Sequence, residues 1–66
     1  MMPEKKFELL RILLESGVEV RTYYRNKRVA ALERATESYV VIRYEDGSAD
    51  RLRMATFGKR RFVAVI

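Results

Sequence analysis

Tyr39-Val40-Val41-Ile42-Arg43-Tyr44-Glu45-Asp46-Gly47-Ser48-Ala49-Asp50-Arg51-Leu52-Arg53-Met54 decides how this chain is read. A β-branched run meets Asp46-Gly47, and a second run follows with arginine at alternate places. Asp-Gly between two extended runs predicts a hairpin, because glycine takes the positive φ that the turn needs. If Ile42 and Leu52 share a face, the loop has an odd number of residues, three being the common choice. Val40, Ile42, Leu52 and Met54 then form a core face. Tyr39, Arg43, Arg51 and Arg53 form an outer, basic face.

Upstream, Pro3 suits the first position of a helix. Residues 3–16 read as that helix, with Phe7, Leu10, Leu13 and Leu14 on one face and Leu9 and Ile12 widening it. Glu8, Arg11 and Glu15 are spaced to pair on the opposite side. Gly17 is a natural residue just past the helix end. From Val18 the period changes to two. Val18, Val20, Thr22 and Tyr24 fall on one side, and Glu19, Arg21, Tyr23 and Arg25 on the other. Asn26-Lys27 reads as a tight turn. Residues 28–35 read as a weaker strand, Val29, Ala31 and Glu33 alternating with Ala30, Leu32 and Arg34; helix is the alternative there.

Beyond the hairpin, Ala55–Gly58 reads as a short 3₁₀ turn or loop with Gly58 as its exit. Lys59-Arg60-Arg61 is a basic run. The last strand begins at Phe62, with Phe62, Ala64 and Ile66 on one face. The expected fold is mainly β in an α+β frame. An N-terminal helix precedes five strands in a small SH3-like or Sm-like barrel over residues 18–66, closed or nearly so. Residues 1–66 form a single domain.

Composition narrows the function. The 66 residues contain neither cysteine nor histidine, which removes disulfides and the commonest general base and metal ligand. The remaining hydroxyls lack a nucleophile context, and Glu45, Asp46 and Asp50 read as turn and charge-balancing residues. No catalytic residue, metal or cofactor is expected. No apolar run approaches a membrane span and no signal-peptide pattern opens the chain, so a cytoplasmic protein is expected. Small domains without staples often gain stability by oligomerising, which makes a homo-oligomer one option.

Residues 1–17 are charge-neutral, so the whole net charge of +5 lies in residues 18–66. Ten of the 14 basic residues are arginine, which makes bidentate phosphate contacts and stacks on bases. Cations that neutralise phosphate, beside rings that stack on bases, point to RNA or single-stranded DNA. The candidate residues are Arg21, Tyr23 and Arg25 on the first strand, Tyr39, Arg43, Arg51 and Arg53 on the hairpin, and Lys59, Arg60 and Arg61. The alternatives are a protein-interaction module and nonspecific binding of duplex DNA.

A helix leading into Val18-Glu19-Val20-Arg21-Thr22-Tyr23-Tyr24-Arg25-Asn26, then Tyr39-Val40-Val41-Ile42 and Leu52-Arg53-Met54-Ala55, resembles the Sm-like barrels, the family of the bacterial RNA chaperone Hfq. The resemblance covers residues 7–57 and implies a ring that binds RNA. It implies a base-stacking role for Tyr23 and a pocket role for Arg53. Leu52 and Met54 stand where the family has tyrosine and histidine, and Leu32 where it has a bend glycine. Tudor-like barrels share the pattern of a basic strand followed by Tyr-x-Asp-Gly. That resemblance implies an aromatic cage for methylated peptides, with Tyr23, Tyr24, Tyr39 and Tyr44 as candidates.

Overall fold

The computed structural model describes residues 2–65. Helix α1 (Pro3–Glu15) starts on proline and ends in a Schellman motif. Gly17, at φ 82°, donates to the Leu14 carbonyl, and Val18 donates to that of Leu13. Five antiparallel strands follow: β1 (Glu19–Thr22), β2 (Val29–Arg34), β3 (Tyr39–Tyr44), β4 (Ala49–Arg53) and β5 (Phe62–Val65). A second helix, α2 (Met54–Lys59), separates β4 from β5. The helix followed by five strands is as expected.

The expected closed barrel is not formed. The strands make two sheets, β1–β5 and β2–β3–β4, with an isolated Arg21–Arg28 bridge joining β1 to the residue before β2. Two local causes keep the sheets apart. β1 stops at Thr22 because the next residues turn, Asn26 taking φ 54° and donating to the Thr22 carbonyl. Tyr23 and Arg25 therefore sit in a turn rather than on the strand face predicted for them. At the other end, α2 carries the chain off the edge of β4 before β5 begins, so β4 and β5 do not pair.

The hairpin of β3 and β4 has the predicted register. Val40 opposes Leu52 and Tyr39 opposes Arg53. Tyr44 donates to the Ser48 carbonyl across a three-residue loop, in which Gly47 takes φ 90°. Met54 packs against the core as expected, but as the first residue of α2 rather than on the strand. In β2 a bulge between Val29 and Ala31 breaks the simple alternation. Val29 and Leu32 consequently both face the core, three positions apart.

The core is Phe7 and Leu10 from α1, Val20, Val29, Leu32, Val40, Ile42 and Tyr44 from the sheets, and Phe57 from α2. Leu9 and Ile12 stay exposed, so the core uses only part of α1's wide apolar stripe. Phe57 is fully buried, edge-on to Phe7 at 6.2 Å and to Phe62 at 5.4 Å between ring centroids. That burial makes residues 54–59 helical in place of the 3₁₀ turn or loop expected there. Gly58 lies inside α2 against the Pro3 ring, not at an exit. Lys6 donates its ammonium protons to the Gly58 and Arg60 carbonyls, capping the negative end of α2. The inward face expected for Ile66 lies outside the described residues.

Candidate nucleic-acid interface

Tyr39, Arg43, Arg51 and Arg53 lie on the outer face of the three-stranded sheet, as their alternation requires. The Arg51 guanidinium sits 4.3 Å from the Tyr39 ring centroid and that of Arg53 5.5 Å. Each such contact is worth about 0.5–1 kcal/mol when exposed. Arg43 differs from its neighbours, because its Nε donates to Glu33 on β2 at 2.8 Å.

The arginines around the β1–β2 turn are also committed. Arg21 donates to Glu19 at 2.6 Å and to the Asn26 carbonyl at 3.3 Å. Arg25 grips Asp50 of β4 with two hydrogen bonds. The same carboxylate accepts from the Tyr44 hydroxyl at 2.6 Å and from Tyr24 at 3.2 Å. Arg25, aided by these hydroxyls, holds the Asp50 carboxyl at about 2, below its ordinary 3.8. Burial, and then the bond to Asp50, pushes the Tyr44 hydroxyl well above the usual tyrosine range. This cluster ties the turn to β4. Spacing in the sequence did not mark Asp50 or Tyr24 as its members, since the partners lie 25 and 26 positions apart.

Tyr23, Lys59, Arg60 and Arg61 meet at the end of α2. The Tyr23 amide donates to the Arg61 carbonyl at 3.0 Å. The Arg61 guanidinium lies 5.8 Å from the Tyr23 ring, and that of Arg60 lies 4.8 Å from the Tyr24 ring. These side chains border a cavity of about 210 Å³ that Tyr24 also lines. Beside it opens a groove of about 620 Å³ that runs on to Leu9 and Leu10 of α1 and Phe62 and Val63 of β5. The surplus width of the α1 apolar stripe is the one sequence feature that points to this groove.

Ion pairing divides the basic residues into two sets. Arg11, Arg21, Arg25, Lys27, Arg28, Arg34 and Arg43 each reach a carboxylate. Lys5, Lys6, Arg51, Arg53, Lys59, Arg60 and Arg61 make no ion pair among the described residues. Apart from Lys5 and Lys6 on α1, the unpaired set flanks α2, Arg51 and Arg53 before it and Lys59, Arg60 and Arg61 at its end. Glu37 joins Arg53 in lining a shallow cavity at the first end. No acidic side chain lines the groove or the cavity at the second.

The four tyrosines divide as well. Tyr24 and Tyr44 aim their hydroxyls at Asp50, Tyr23 meets Arg61, and Tyr39 meets Arg51 and Arg53. Among the described residues no group of carboxylates is placed to hold a metal ion, and no helix is long and apolar enough to cross a membrane. No family model, curated protein or solved structure matches this chain.

Proposed function

We propose that this protein is a non-catalytic nucleic-acid-binding domain that takes RNA or single-stranded DNA along the two ends of α2. The observation that carries the reading is the division of the arginines. Acids neutralise Arg21, Arg25 and Arg43, while Arg51, Arg53, Lys59, Arg60 and Arg61 make no ion pair among the described residues, Arg51 and Arg53 lying by Tyr39, Arg60 by Tyr24 and Arg61 by Tyr23. Unpaired cations beside aromatic rings supply both phosphate neutralisation and stacking, the combination used on single strands. A cytoplasmic setting goes with this reading.

Single strands are favoured over duplex DNA because a ring can stack only on a base that is free of its own stack. A protein-interaction role draws on a different feature, the unpaired outer edges of β4 and β5, which could accept another strand or a second copy. A solution mass measurement reports on self-association.

Anisotropy of a labelled single-stranded oligonucleotide tests the main reading. Affinity should fall steeply between about 50 and 200 mM salt, as counterion release requires. Absence of binding at the lower salt overturns it.

A further inference from the structure

Tyr23, Leu9 and Val63 are 65%, 43% and 46% exposed, and all three border the groove between α1, the end of α2 and β5. Exposed large apolar side chains gathered in one concavity mark a binding surface rather than ordinary scatter. Phe62, half-buried, continues that surface inward. The groove's rim carries Arg60 and Arg61, with Lys59 next to them and no carboxylate among the described residues.

We infer that this groove seats one unstacked nucleotide, its base against Leu9, Val63 and Tyr23 and its phosphate against Arg60 and Arg61. The inference rests on the nucleic-acid reading above and adds a place and a stoichiometry to it. Three features define the occupant. The apolar floor requires a group with a low cost of leaving water. The unpaired guanidinium groups require an anion, and their donor forks match phosphate. The volume, about 620 Å³, falls within the range of sites that enclose small molecules. A nucleotide joins a flat, weakly hydrated ring to a phosphate over that span.

Arg60 and Arg61 are suited to such a role by their surroundings. Each guanidinium rests near a tyrosine ring, Arg60 by Tyr24 and Arg61 by Tyr23, so both are partly oriented before a ligand arrives. Lys6 does not compete for the phosphate, because its ammonium is committed to the carbonyls at the end of α2. Desolvation also lowers the Lys6 pKa.

Methyl and guanidinium NMR signals of the full chain, titrated with separate probes, test the proposal. A single-stranded trinucleotide and a nucleoside monophosphate should shift the Leu9 and Val63 methyls by ring currents and saturate at one site. Inorganic phosphate should move Arg60 and Arg61 without moving those methyls. Tyr23→Ala should weaken trinucleotide binding about ten-fold, the lower part of the range for losing a base stack. If the trinucleotide binds and the Leu9 and Val63 methyls stay still, the groove proposal falls and the wider reading stands. If no oligonucleotide binds at all, both fall. If an acidic peptide with apolar residues shifts these methyls and the nucleotides do not, the groove belongs to a protein partner and the proposal is overturned.

Discussion

Asp50 receives two hydrogen bonds from the Arg25 guanidinium, at 2.9 Å from Nε and 2.7 Å from Nη2. They join the β1–β2 turn to β4, two segments that no strand pairing connects. The folded carboxyl titrates at about 2, against 3.8 for a free aspartate. Its ionised form therefore stabilises the fold above about pH 4, and that contribution is lost as pH falls through about 2. The difference corresponds to about 2 kcal/mol. Asp50→Asn should lower stability by about that amount at pH 7 and flatten the acid limb, measured by urea unfolding at pH 7 and pH 2. The limb should persist in part, because Ser48 and Lys27 also lower the Asp46 pKa, and Arg21 that of Glu19. An unchanged acid limb in the variant would show that Asp50 does not govern it.

The same pair separates arginines that hold the fold from arginines that are free to bind. Arg25→Ala should destabilise the protein while leaving the salt dependence of oligonucleotide binding unaltered. Arg60→Ala with Arg61→Ala should do the reverse. Each lost phosphate contact should reduce the slope of log K against log salt by about 0.7 for a single strand. Arg51→Ala should reduce it too, and Arg43→Ala should have less effect, since Glu33 already neutralises Arg43. Equal slopes for the Arg25 and Arg60/Arg61 variants would refute the division into paired and unpaired sets.

How far the sequence could be read follows from how local each determinant is. The β3–β4 hairpin was legible because alternation and Asp46-Gly47 are short-range signals, and the register follows from them. The α1 end at Gly17 was legible for the same reason. The β2 bulge was not, because Val29-Ala30-Ala31-Leu32 offers small residues that fit either register. α2 was not, because a six-residue segment containing glycine is helical only while Phe57 fills the core. Tyr23 and Arg25 were expected on the first strand and lie in a turn, since the turn at Asn26 comes before the alternation is exhausted. The paired state of Arg25 and Arg43 was hidden by sequence separation, 25 and 10 positions from their acids. The basic alternation therefore overstated how many arginines stand free.

Thr22 is fully buried, and its hydroxyl lies close to that of Tyr44 without making a hydrogen bond to any described group. A buried polar atom left unpaired costs about 1–3 kcal/mol. Thr22→Val keeps the shape and removes that atom. It should raise stability by about 1 kcal/mol, read as a higher urea midpoint at unchanged m-value. A fall in the midpoint would mean that the hydroxyl is satisfied in solution.

Gly58 is helical, so alanine there should gain about 1 kcal/mol on propensity alone. Packing opposes the gain. A Cβ at Gly58 would stand 2.7 Å from Pro3 Cγ and 3.2 Å from Pro3 Cβ, well inside contact distance of a rigid ring. Overpacking of this kind costs about 1–3 kcal/mol, so the clash wins or cancels. Gly58→Ala should lower stability by about 1 kcal/mol, the difference of the two effects. Pro3→Ala removes the nearer contact and leaves the 3.2 Å one. In that background Gly58→Ala should be close to neutral, a coupling of about 1 kcal/mol in a double-mutant cycle. Additive effects would place the two residues out of contact. They would also undo the docking of α1 on α2 that forms one wall of the groove.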